Sequence, residues 1–166
     1  MSRLHCFGLV ALSLLTTSLF SAADEAAARL KELDRYWSEV SRAVSEGDFE
    51  GYKATCHPEG VLVSGTKNTS QPLTEALARW KKEFDATKAG KMKASVEFRF
   101  SRRVGDATTA HETGIFCYSA KVGDADWKRE YVRFVGLLVK KEGRWVILME
   151  DQQSLTTKTE FDALSK

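Results

Sequence analysis

The chain is 166 residues long and poor in the residues that reactive centres most often use: three cysteines, three histidines and two prolines. Cys6, Cys56 and Cys117 form no CxxC pair, and His57 and His111 stand far apart, so a zinc site of the usual kind lacks its ligands. Charge of one sign is also missing. Twenty-five Lys and Arg are interleaved with 23 Asp and Glu, for a net charge of +2, which leaves no basic face for a nucleic acid. No GxGxxG, Walker loop, Gly-x-Ser-x-Gly elbow or His-Glu-x-x-His occurs, so the common phosphate, nucleophile and metal motifs are excluded. Repeats and low-complexity tracts are absent as well. No metal and no cofactor is expected.

What is present begins with a leader. Arg3 is the only fixed charge before Asp24, and Phe7 to Phe20 is apolar or small. Ser21-Ala22-Ala23 then offers small side chains to a signal peptidase. The pattern predicts a signal peptide over residues 1–23, cleavage after Ala23 and a secreted or periplasmic protein. The apolar run is too short and too broken by Ser and Thr to span a membrane well. No membrane association is expected once it is removed. An oxidising compartment permits a Cys56–Cys117 disulfide, although both residues also read as buried free thiols.

Residues 24–166 read as one domain with a short C-terminal tail from about residue 155. Leu30, Leu33, Trp37, Val40 and Val44 recur at steps of three and four, which predicts a helix over 24–46. Gly47 stops it, and Asp48 caps a short helix carrying Phe49, Tyr52 and Cys56. Pro58 and Gly60 break that helix before a short Val61-Leu62-Val63 strand. Residues 64–72 read as a loop, and Leu73, Leu77, Trp80 and Phe84 form the stripe of a helix over 72–87. Beyond Gly90 the pattern turns to strands, over 93–104, 107–121, 127–141 and 144–154, joined by short turns. Helices followed by a meander define an α+β fold with helices on one face of an antiparallel sheet. Strands this long are expected to curl the sheet into a cone over a ligand cavity.

This order resembles the nuclear transport factor 2-like superfamily. The resemblance is carried by the Trp37 helix, Gly47-Asp48, the Pro58-Glu59-Gly60 break before Val-Leu-Val, and the final "KKEGRWVIL". It spans residues 25–154 and is nearest to SnoaL-like and ketosteroid isomerase-like secreted proteins. It implies a cone-shaped fold with about three N-terminal helices, and a homodimer. The isomerase mechanism does not carry over. The place of its base holds Ser64-Gly65, and the places of its oxyanion donors hold Val40 and Val135. Related kinase association domains carry His into the cavity from the last strand, where this chain has Met149 and Asp151.

Candidate residues follow from strand parity. Trp145, Ile147, Met149, Asp151 and Gln153 share one face of the last strand, with Val146, Leu148, Glu150 and Gln152 on the other. Trp37, Tyr52, Tyr118, Met149, Asp151 and Gln153 are therefore expected to bind a small apolar or amphipathic ligand. If the protein is an acid–base enzyme, His111, Asp151 and Glu112 are its candidate catalytic groups. A third reading is a dimeric assembly module.

Overall fold

The computed structural model describes residues 22–164. The predicted leader lies outside the described residues, apart from Ala22 and Ala23, which open the first helix. Helix α1 (Ala22–Glu46) buries Leu33, Tyr36, Trp37, Val40 and Ala43 along one stripe. It ends where Gly47 turns to φ +67°, and the Asp48 amide donates back to the Ala43 carbonyl at 2.9 Å, a Schellman-type closure. Asp48 accepts from the Gly51 amide and caps α2 (Phe49–Ala54). Strand β1 (Cys56–Ser64) follows directly, so Cys56 lies on a strand and not on the predicted helix. The segment read as a loop contains an edge strand, β2 (Thr69–Pro72), before α3 (Leu73–Lys88). The four long strands are β3 (Met92–Gly105), β4 (Thr109–Val122), β5 (Lys128–Lys141) and β6 (Arg144–Leu155). The tail forms α4 (Lys158–Asp162), held by a Thr157–Glu160 capping box. Among the described residues, no helix is long and apolar enough to cross a membrane.

The sheet corrects the expected architecture. It has six strands in the order β2-β1-β6-β5-β4-β3. It is mixed, because β1 runs parallel to β6. It is also open: β2 and β3 are its two edges and do not pair, so the strands do not close into a cone. The reason lies in β6. Its Val146–Met149 run is apolar on both faces, and the meander alone would leave that strand at an edge. Strand β1 covers it instead, and the long connection through α3 permits the parallel pairing.

Helix α1 packs on β3 and β6, and α3 packs on β1 and β3, all on one face of the sheet. Under α1 the space is filled by rings. Phe134 (1% exposed) sits among Trp37, Phe98, Phe100 and Phe116, with centroids 5.6 to 6.2 Å away. Helix α4 covers part of the opposite face, where Phe161 packs on Ile115 and Cys117. Cys56 and Cys117 are free thiols on opposite faces of the sheet.

Candidate functional site

Three register shifts decide which side chains meet the helices. In β3, Phe100 pairs with Gly114 but Arg102 pairs with Thr113, so Ser101 is an extra residue. In β6, Ile147 pairs with Leu138 and Met149 with Leu137, which makes Leu148 extra. Gln153 is the second extra residue of β6, between the Gln152–Phe134 and Ser154–Arg133 pairs. Each bulge inverts the alternation beyond it. Trp145 and Ile147 therefore face the helices, and beyond Leu148 it is Glu150 and Gln152 that do so.

The sequence-predicted residues divide accordingly. Met149 and Asp151 lie on the face away from α1 and α3, in register with Leu137 and Val135. Gln153 occupies a bulge, and its amide donates to Asp151 at 3.3 Å. Trp37 is core, and its Nε1 donates to Glu112 Oε2 at 2.9 Å. Tyr52 and Tyr118 line a cleft. The acid–base trio is not assembled. Glu112 points under α1, whereas His111 points to the opposite face. Asp151 shares that face, but β5 lies between it and His111, and two strand spacings across with two residues along put them about 12 Å apart.

Glu112 belongs to a structural network. It is fully buried and accepts from Arg103 Nε at 3.1 and 2.9 Å. Arg103 also reaches Asp34 on α1 at 2.5 Å and stacks on Phe100. The bulge at Ser101 is what brings Arg103, and not Arg102, to this face.

The cleft lies beyond the ring cluster, between α3, the end of α2 and the sheet. Its volume is about 420 Å³. Tyr52, Trp80 and Phe84 form its helical wall, and Phe116, Tyr118, Glu150 and Gln152 rise from the sheet. Tyr52 stands edge-on to Trp80 at 6.1 Å and packs against Phe84 at 5.0 Å. The Tyr118 hydroxyl donates to Glu83 at 3.0 Å. The Gln152 amide donates to Glu150 Oε1 at 2.7 Å.

This is a desolvated corner. Burial pushes the Tyr52 and Tyr36 phenols well above their ordinary range. Burial, with Glu150 nearby, pushes the Cys56 thiol up to about 12. Burial also raises the Glu150 carboxyl, and the Gln152 hydrogen bond offsets this only in part. Glu150 is the residue that uninterrupted alternation conceals. The signal for it is the run Val146-Ile147-Leu148-Met149, where four apolar residues in succession mark a strand that has stepped out of alternation.

A raised carboxyl holds its proton more tightly in the folded chain. Stability therefore falls as pH rises between the unfolded and folded pKa values. Glu150→Gln is expected to stabilise the protein at neutral pH, with no gain below about pH 4, where both states are protonated. Melting temperatures of the two proteins across pH check this. A variant that is less stable at neutral pH would mean that the carboxylate is well satisfied.

The helices on one face of an open sheet, with a cleft between, define a nuclear transport factor 2-like α+β domain, related to SnoaL-like and ketosteroid isomerase-like proteins. Residues 29–154 match the family model of the calcium/calmodulin dependent protein kinase II association domain, and the chain belongs to that family. Among solved structures it is similar to a conserved protein from Planctomyces limnophilus (9% identity, 75% of this chain and 94% of that chain, TM-score 0.64). It is also similar to a nuclear transport factor 2-like superfamily protein from Salmonella enterica (13% identity, 81% and 95%, TM-score 0.58). A ketosteroid isomerase-like protein from Erwinia carotovora matches at 14% identity over 74% and 93%, with TM-score 0.54. These likenesses are of fold. No curated protein matches the chain.

Proposed function

We propose that this chain is a small-molecule-binding domain that holds a partly apolar ligand in the cleft beside Glu150. One observation carries the reading: a cleft of about 420 Å³ that is walled by aromatic rings and has two convergent polar groups at its base, Glu150 and Gln152. Ligand sites have this size and this mixture of surfaces. The leader pattern of residues 1–23 supports export, and the intact mass of the purified chain tests cleavage after Ala23.

The binding test is a native mass spectrum of protein taken gently from an exporting host, together with Val96→Trp, which fills the cleft from β3. The expected result is a discrete small-molecule mass on the wild type that is lost from the variant, with near-ultraviolet circular dichroism retained. The same adduct on both proteins overturns the reading. So does an empty wild type that binds nothing in a ligand-observed NMR fragment screen.

A second reading, compatible with the first, is a homodimer through the other sheet face. Val61, Val63, Leu137 and Met149 form partly open apolar rows there. The His111 Nδ1 beside them is buried with no hydrogen-bond partner. Leu137→Lys is expected to turn a dimer into a monomer in light scattering coupled to size exclusion. A wild-type monomer at all concentrations refutes the dimer.

A further inference from the structure

Two carboxyls of the inner face, the fully buried Glu112 and the half-buried Glu150, have opposite surroundings. Glu112 has its cation within the chain, Arg103, and the indole of Trp37 as well. Glu150 has neither. Among the described residues its carboxyl takes one hydrogen bond, from the neutral amide of Gln152, and no Lys, Arg or His stands within ion-pair distance. Setting a carboxylate against apolar walls without a counter-ion is costly, and a cationic ligand would offset that cost.

The rest of the cleft suits a cation as well. Its charged lining is Glu83, Glu130 and Glu150 against Lys67 alone. Its walls are the rings of Tyr52, Trp80, Phe84, Phe116 and Tyr118, whose faces attract cations. An anionic ligand would meet three carboxyls and one ammonium. A neutral apolar ligand would use the rings and leave Glu150 with the Gln152 amide as its one partner.

Resting on the small-molecule reading above, we propose that the ligand is a monocation with an apolar body, an aryl or alkyl amine, whose ammonium seats on Glu150 while its body lies among the rings. When the amine binds to the protonated acid, the carboxyl loses its proton to solvent and the ammonium takes its place, so one proton is released per ligand. The titratable groups facing Glu150 are Tyr36 from α1, Tyr52 from α2 and Cys56 from β1, all pushed up by burial and neutral where a carboxyl titrates. Tyr118, Glu83, Glu130 and Lys67 line the same cleft. Glu150 is thus the group whose titration governs amine affinity, which is expected to rise about tenfold per pH unit while the acid remains protonated, and then to level off.

Three probes of one shape decide the matter: phenethylamine, phenethyl alcohol and hydrocinnamate, titrated into the wild type and Glu150→Gln by calorimetry and protein-observed NMR. The expected order is amine tightest and carboxylate weakest. Glu150→Gln is expected to lose about tenfold or more in amine affinity and with it the preference for amine over alcohol. In buffers of different ionisation heat, amine binding is expected to release protons on the acid side of neutrality. If the alcohol binds as tightly as the amine, or if Glu150→Gln does not change the preference, the charge assignment is overturned and the cleft remains a ligand site. If none of the three binds, the amine assignment is overturned, and the native mass spectrum and fragment screen decide the small-molecule reading separately. Glu150→Gln is expected to be the more stable protein, so its loss of amine binding is not a loss of fold.

Discussion

Alanine at Glu112 is expected to lower the unfolding free energy by about 3–5 kcal/mol, the usual consequence of removing one partner from a buried ion pair. The side chain is 0% exposed. It accepts from both Arg103 and the Trp37 indole. Without it, a guanidinium that is only 18% exposed keeps Asp34 as its one carboxylate partner, at the rim. The indole N–H also loses its acceptor in the core, an unmade hydrogen bond that adds to the penalty. Urea unfolding followed by tryptophan fluorescence measures the loss. A loss under about 1 kcal/mol would mean that Arg103 swings out to solvent with Asp34 and takes its charge along. The double variant Glu112→Leu, Arg103→Met is expected to recover much of the loss, because apolar replacement of a whole buried pair is often neutral or better.

Phe134→Ala is expected to cost a comparable amount, about 3–5 kcal/mol, for a different reason. Here a volume is lost instead of a charge partner. Four rings converge on Phe134. They come from α1, β3 and β4, three elements whose backbones cannot all move inward together, so the hole collapses only in part. Phe116 separates this cluster from the cleft, and its inner side would lose its support. The variant is therefore expected to bind ligands less selectively as well as to melt earlier. Calorimetric melting gives the first quantity and the three amine-series probes give the second. An unchanged melting temperature would show that the cluster can repack around alanine.

Most of the element order was legible because its signals are local. The α1 stripe, the Gly47-Asp48 junction and the turns between the four long strands depend on residues a few positions apart, and the observed ends lie within two residues of the expected ones. Pairing across the chain left no such trace. The edge strand β2 contains Ser, Gln and Pro, which read as loop, and its place is set by β1 alone. The parallel β1–β6 pair, which makes the sheet mixed and open, depends on contacts nearly ninety positions apart. Tyr52 and Tyr118 come to the cleft because α2 and β4 keep simple periodicity. Met149 and Asp151 do not, because the extra residue at Leu148 inverts the face of everything immediately after it. Glu112 was legible as a buried acid only once Arg103 was known to share its face, and that requires the bulge at Ser101.

The paired bulges of β6 have an implication for how this chain can change. Before Leu148 the odd-numbered residues of the strand look toward the helices. Between Leu148 and Gln153 the even-numbered ones do, and after Gln153 the odd-numbered ones do so again. The strand is thus written in two reading frames. One frame carries Trp145 and Ile147 and holds the core together. The other exposes Glu150 and Gln152 to whatever enters the cleft. A substitution in the second frame alters the ligand without touching the packing, so recognition is free to drift on a fold that stays the same.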